Sequence, residues 1–187
     1  MKKIVVFASG SGSNAENIIK HFKKSKVANV VSVFTNNVNA KVIERAKNHH
    51  ISTEIFSKNE LLSRNVLQKI QEIDPDLIVL AGFLLKFPED IIALYPDKII
   101  NIHPALLPNY GGKGMYGMHI HRAIVENKEK ETGITIHFVN ENYDEGAIIF
   151  QKSVALNETD TAETVAEKIH ELEQKYFPEI ISRLLEN

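Results

Sequence analysis

Cysteine is absent from the 187 residues, which excludes disulfides, thiolate metal sites and cysteine nucleophiles and is compatible with a reducing cytoplasm. Long apolar runs are absent as well: after Met1-Lys2-Lys3 comes a six-residue run, Ile4 to Ser9, and Gly10 interrupts it. That run is too short for a membrane span or for the apolar stretch of a signal peptide, so a soluble, cytoplasmic protein with no membrane partner is expected. Charge of one sign is not in surplus, and a net charge of −2 removes the usual electrostatic argument for a nucleic-acid partner. With no repeat, no low-complexity segment and no linker rich in Pro, Gly or Ser, one domain over residues 1–187 is the expectation. What is present is an ordinary globular composition, 43% hydrophobic and 25% charged, sufficient for a sizeable core.

The chain reads first as alternating strands and helices. Ile4-Val5-Val6-Phe7-Ala8 is a β-branched run, and a helix begins near Ser13, whose spacing to Glu16 matches a capping box, with Ile18, Ile19 and Phe22 facing the core. A strand over 27–35, a helix over 40–49 ending in a solvated His49-His50, a short strand over 53–56 and a helix over 59–73 follow, and Asp74-Pro75-Asp76 stops the last. Leu77-Ile78-Val79-Leu80 has the fully apolar character of a strand buried on both faces of a parallel sheet. A helix over 89–95, a strand over 98–103 and a helix over 121–126 come next. From Thr132 the period changes to two, and a polar connection over 140–146 joins two strands that read as an edge hairpin. Asp160 and Glu163 have capping-box spacing at the start of a long final helix, which Pro178 should kink. The fold class is α/β: a doubly wound, mostly parallel Rossmann-like sheet with an antiparallel edge hairpin near the C-terminus and a long C-terminal helix.

Three stretches carry candidate chemistry. Ser9-Gly10-Ser11-Gly12-Ser13-Asn14 is a glycine-rich turn between strand and helix, where free N–H groups and the helix dipole suit an anion, a phosphate above all. Gly10, Gly12 and Ala15 also match the dinucleotide pattern G-x-G-x-x-A. The second strand, however, ends in Asn36-Asn37, where a nicotinamide enzyme needs an acidic residue or an arginine, so a phosphate site without a dinucleotide fits better. Ala81-Gly82-Phe83-Leu84-Leu85-Lys86-Phe87-Pro88 is an apolar loop beyond a parallel strand, either a seat for a flat ligand or a loop packed under the next helix. Asn101-Ile102-His103-Pro104 puts an amide and an imidazole on one face of a strand that proline ends. This is either the beginning of an active site or a strand terminus with a satisfied histidine. The glycine-rich segment 109–118 beside it suggests a flap. His119-Ile120-His121 could offer two metal ligands from one strand face, but no nearby carboxylate completes a set, and no metal is assigned.

Taken together, Gly10-Ser11-Gly12-Ser13-Asn14, Ala81-Gly82-Phe83, the stretch Asn101-Ile102-His103-Pro104-Ala105-Leu106-Leu107-Pro108, and Ile136-His137-Phe138-Val139 with Asp144-Glu145-Gly146 resemble the phosphoribosylglycinamide formyltransferases, in the family's order and over essentially the whole chain. The resemblance implies transfer of a formyl group from N10-formyltetrahydrofolate, as co-substrate, to the amine of glycinamide ribonucleotide in purine synthesis, by a monomer or weak homodimer. It implies Asn101, His103 and Asp144 as the catalytic set, Thr135 and His137 in support, and Gly12, Ser13 and Asn14 on the ribonucleotide phosphate. Glu173 would contact the ribonucleotide, and His170 stands where the family often has lysine or arginine. Folate would meet Lys58, Leu84, Leu85, Lys86, Phe87, Asn101, Val139, Asn140 and Glu141; Lys58 and Leu85 replace arginines common in the family. On this reading Asp144 would keep His103 cationic. Other formyl-group enzymes on the same core, formyltetrahydrofolate hydrolase and methionyl-tRNA formyltransferase, would be expected to carry additional domains, and a non-catalytic nucleotide-binding module would not need the Asn, His and Asp together.

Overall fold

The computed structural model describes residues 1–186. Seven strands make one sheet: β1 (Lys2–Phe7), β2 (Ala28–Thr35), β3 (Ser52–Ile55), β4 (Leu77–Leu80), β5 (Ile99–His103), β6 (Glu131–Phe138) and β7 (Ile148–Ala155), in the spatial order β3-β2-β1-β4-β5-β6-β7. The pairings among β1 to β5 are parallel, and β6 runs antiparallel to both β5 and β7. The chain winds outward from β1 through β2 to β3, then crosses to β4 on the other side of β1. The connections leaving β1 and β4 therefore diverge, and a crevice opens at the carboxyl ends of these strands.

Strand alternation divides the core between the two faces of the sheet. Ile4 and Val6 point toward α1 (Ser13–Ser25), α2 (Val42–Asn48), α6 (Met118–Glu126) and α7 (Ala162–Glu186), whose Ile18, Ala46, Ile124 and Phe177 are buried there. Val5 and Phe7 point to the opposite face, toward α3 (Lys58–Leu62), α4 (Asn65–Ile73) and α5 (Glu89–Leu94). On that face Phe7 stacks on Phe34 at 4.8 Å and meets Phe83 and Phe87 edge-on at 5.3 and 5.1 Å. Such ring pairs add to the burial of their area, and here they fasten the apolar loop after β4 to the core. No helix among the described residues is long and apolar enough to cross a membrane.

Several local expectations are corrected. The helix expected over 59–73 is two helices, because Ser63 ends α3 and Arg64 takes a left-handed backbone (φ 67°) before α4 starts. The first of them begins with a reciprocal capping box between Ser57 and Glu60. The Ser13–Glu16 box does not form: Gly12 caps α1, and Glu16 instead bonds Lys20 at 2.8 Å, Arg45, and His49 at 3.3 Å. His49 is consequently half-buried rather than solvated. Nor do Asp160 and Glu163 make a cap. Asp160 is occupied by Lys168 at 2.6 Å and the Asn157 N–H at 2.7 Å, while Thr161 and Thr164 exchange the capping bonds. Pro178 lies buried within α7, which continues to Glu186.

Candidate active site

The anion loop is shaped by its contact with α2. Gly12 has φ 72°, a region that L side chains rarely enter, and a Cβ there would stand 2.4 Å from Val42 Cβ. Only glycine permits that approach. The Val42 N–H donates to the Gly10 carbonyl at 3.2 Å, and Arg45 Nε donates to the Ser11 carbonyl at 2.9 Å. No hydrogen bond among the described residues takes the N–H groups of Ser11, Gly12, Ser13 or Asn14, so a set of free donors faces the crevice at the start of α1. Asn36 and Asn37 serve as internal ties: Ser9 Oγ donates to Asn36 Oδ1 at 2.6 Å, and Asn37 Nδ2 donates to the Ser9 carbonyl at 3.3 Å. Ser9 Oγ also accepts the Leu84 N–H at 3.0 Å, joining the anion loop to the apolar loop.

β5 delivers Asn101 and His103 to the same crevice, with His137 and Thr135 opposite them on β6. Thr135 Oγ1 donates to the Ala105 carbonyl at 2.7 Å and accepts the Leu107 N–H and Gln151 Nε2 at 3.0 and 2.9 Å, which fixes the turn after Pro104. His137 Nδ1–H donates to the Phe138 carbonyl at 2.8 Å, leaving Nε2 to accept from Asn101 Nδ2 at 3.1 Å. This arrangement aims the Asn101 amide and keeps its second N–H available.

Asp144 reaches the site from the connection between β6 and β7. Gly146 makes the return possible: a Cβ there would meet the Phe138 carbonyl oxygen at 1.7 Å. Asp144 Oδ2 lies 3.6 Å from His103 Nδ1 and accepts the Gly112 N–H at 3.0 Å, while Oδ1 lies 3.6 Å from His137 Nε2. Burial alone would raise the Asp144 carboxyl; the neighbouring His137 and His103 rings and the Gly112 N–H together outweigh it and hold it below the ordinary carboxylate range. His103 is 4% exposed and donates Nε2–H to the Tyr110 carbonyl at 2.8 Å. Burial lowers its pKa, and neither Asp144 nor the Tyr110 carbonyl, both of which raise it, restores the ordinary value. The resting imidazole is therefore favoured neutral, with Nδ1 turned to Asp144, whereas the sequence suggested a standing cation.

These groups share a cavity of about 670 Å³, lined by the anion loop, Asn101, His103, Asp144, the glycine-rich segment and the α7 side chains Ile169, His170 and Glu173. Glu173 and Asn14 lock together, Asn14 Nδ2 donating to Glu173 Oε2 at 2.9 Å and Gln174 Nε2 donating to Asn14 Oδ1 at 2.7 Å. The Asn14 side chain is thus tied to α7 through Oδ1 and one Nδ2–H, and its backbone N–H is free toward a ligand. His170 Nδ1 lies 3.7 Å from Glu173 Oε2, and that carboxylate raises the His170 pKa. Beyond Asn101 and Asp144 is a smaller hollow of about 70 Å³, lined by Leu85, Lys86, Phe87, Val139 and Asn140 among others. Leu84 lines the larger cavity. Phe87 is a core residue, 4% exposed.

Of the expected folate residues, Lys58, in the first turn of α3, and Glu141, between the hollow-lining Asn140 and Asn142, are exposed and line neither space. The helix expected over 121–126 begins earlier, at Met118, so His119 and His121 lie on α6 rather than on a strand face, with His119 exposed and His121 buried in the cavity wall, its Nδ1 without a partner. Phe83, part of the apolar loop that the sequence offered as a ligand seat, and Tyr143, in the turn before Asp144, line both spaces, whereas sequence reasoning missed the Tyr110 carbonyl and Gly112 N–H, backbone groups that no residue pattern announces. Gln151 was missed too, its period-two position on β7 being the only available signal.

A doubly wound sheet with an anion loop and an Asn, His and Asp convergence at its strand ends defines an α/β enzyme of the group-transfer class. The family model described as Formyl transferase matches residues 2–181, and the chain belongs to that family. It is 37% identical to the phosphoribosylglycinamide formyltransferase of Bacillus subtilis, covering 99% of this chain and 95% of that one. The chloroplastic phosphoribosylglycinamide formyltransferase of Arabidopsis thaliana is 35% identical over 99% of this chain, which spans 66% of the plant protein. The crystal structure of the phosphoribosylglycinamide formyltransferase from Bacillus halodurans superposes with a TM-score of 0.88 at 36% identity, covering 98% of this chain and 95% of that one.

Proposed function

We propose that this chain, acting as a single formyltransferase domain, moves the formyl group of N10-formyltetrahydrofolate to the amine of glycinamide ribonucleotide, the reaction named for its relatives. The observation that carries the reading is the meeting of two spaces at Asn101 and Asp144: the large cavity runs from there to the anion loop, and the smaller hollow, lined by both apolar and polar side chains, lies on the other side. The ribonucleotide phosphate would sit on the free N–H groups at Gly12, Ser13 and Asn14, with His170 and Glu173 beside the sugar. The pterin would enter past Leu85, Phe87 and Val139, widening the smaller hollow. The amine and the formyl carbon would then meet between them.

The resting groups suit the steps. As the amine attacks, a C–N bond forms and negative charge grows on the formyl oxygen, where the second Asn101 N–H donates to it. His103, neutral through burial, takes the amine proton at Nδ1. The imidazolium so formed lies between the Asp144 carboxylate and the Tyr110 carbonyl, the two groups that favour it. The proton passes to the folate nitrogen as its bond to the formyl carbon breaks, which leaves tetrahydrofolate and the formylated ribonucleotide.

A steady-state assay with N10-formyltetrahydrofolate, with and without glycinamide ribonucleotide, tests the reading. Folate release is expected only when the ribonucleotide is present. Release without it would make the chain a hydrolase, and absence of release in both cases would refute the transfer.

A further inference from the structure

The anion loop is gripped from behind by a side chain to which no role has been given. In a trans peptide the C=O and the following N–H point in opposite directions. Val42 N–H holds the Gly10 carbonyl and Arg45 Nε holds the Ser11 carbonyl, both from α2. The N–H groups of Ser11 and Gly12 must therefore point away from α2, and both residues line the cavity. The first of these grips is backbone to backbone. The second depends on the Arg45 guanidinium, whose other arm bonds the Glu16 carboxylate.

Glu16 sits in the first turn of α1, close to where an anion would bind, and an uncovered carboxylate there would repel it. Lys20 at 2.8 Å and Arg45 cover that charge, with His49 at 3.3 Å, so the two permanent cations exceed the one anion. The guanidinium alone joins loop and carboxylate, because its fork bonds both at once in a way that a lysine ammonium does not reproduce.

We propose that Arg45 is a positioning residue for phosphate recognition: by holding the Ser11 carbonyl against α2 and covering Glu16, it turns the Gly12 N–H toward the substrate phosphate without touching the substrate. The proposal rests on the reading of this loop as the ribonucleotide-phosphate site. It goes further by assigning part of that affinity to a side chain on the neighbouring helix.

The test compares glycinamide ribonucleotide with the same compound lacking its 5′-phosphate, in the intact protein and in Arg45→Ala and Arg45→Lys. Arg45→Ala should raise KM for the ribonucleotide about tenfold, a loss on the scale of one charge-assisted hydrogen bond, with kcat and the folate KM within about twofold. Its kcat/KM for the dephosphorylated compound should match that of the unmodified protein. Arg45→Lys keeps the charge but not the fork and should fall between, so the comparison survives if the alanine variant fails to fold. Equal losses on both compounds, or no loss on either, would overturn the positioning role. If the unmodified protein handled both compounds equally well, the phosphate reading of the loop would fail first, and with it the proposal.

Discussion

Replacing Gly12 by alanine puts one methyl group where the structure has no room for it. The added carbon would lie 2.4 Å from both Val42 Cβ and Cγ2 and 2.7 Å from Val42 Cα, on a backbone at φ 72°. The left-handed conformation costs a non-glycine residue about 1–2 kcal/mol, and overpacking a close contact adds about 1–3 kcal/mol. The total is about 2–5 kcal/mol, against the roughly 5–15 kcal/mol that holds a typical domain together. At about 2–4 °C per kcal/mol for a chain of this size, the melting temperature should fall by roughly 4–20 °C. The loop must leave α2 to relieve the contact, which turns the Gly12 N–H, so KM for the ribonucleotide should rise while the folate KM stays near its original value. Thermal melts followed by circular dichroism and a steady-state assay read the two effects. Val42→Ala should not rescue the variant, since it removes Cγ2 and leaves the Cβ and Cα that make the contact. A melt within about 1 °C of the unmodified protein with an unchanged ribonucleotide KM would refute the reasoning.

Three further outcomes are expected. His103→Ala should lower kcat about 100- to 1000-fold with ribonucleotide still bound, as single losses at such sites do, and near-normal turnover would remove His103 from the mechanism. Glu16, brought from 4.5 down to about 2 chiefly by Lys20, with Arg45 and His49 adding to it, contributes stability that is present above pH 4.5 and lost as pH falls toward about 2. Urea unfolding of Glu16→Gln across that range should show a flatter acid decline than the unmodified protein, and parallel curves would contradict the assignment. His170, whose pKa Glu173 raises above 6.5, is cationic below that value and loses its charge as pH rises through the raised pKa. KM for the ribonucleotide should rise over that upper window, and in Glu173→Gln the rise should begin at lower pH; a pH-independent KM would mean that the His170 charge does not face the substrate.

The parts of this fold legible in the sequence were those set by local chemistry. Apolar runs such as Leu77 to Leu80 and the change to a period of two after Thr132 marked the strands, and Pro104 marked the end of β5. The glycine pattern around Gly12 signalled a close backbone approach, though not that Val42 was its partner. Features decided by distant partners were not legible. Ser13 and Glu16 have the spacing of a cap, but Lys20, Arg45 and His49 offered Glu16 more than the backbone did. The break at Ser63 and Arg64 falls between two stretches of good helical periodicity, and neither residue is a strong helix breaker. Lys58 and Glu141 were placed at the folate by resemblance alone, and their backbone positions carry them to the surface. The approach of Asp144 to His103 required β6 to pair beside β5 so that the connection after it returns to the end of β5, and the neutral imidazole required burial that spacing cannot express.

The transfer itself can be followed with N10-formyltetrahydrofolate carrying ¹³C in the formyl group, in a single turnover with glycinamide ribonucleotide and excess protein. NMR of the quenched mixture distinguishes a formamide carbon on the ribonucleotide from free formate. The geometry predicts the label in the formamide, tetrahydrofolate in equal amount, and little free formate. Label recovered as formate, or left on the folate while the ribonucleotide remains unchanged, would contradict it.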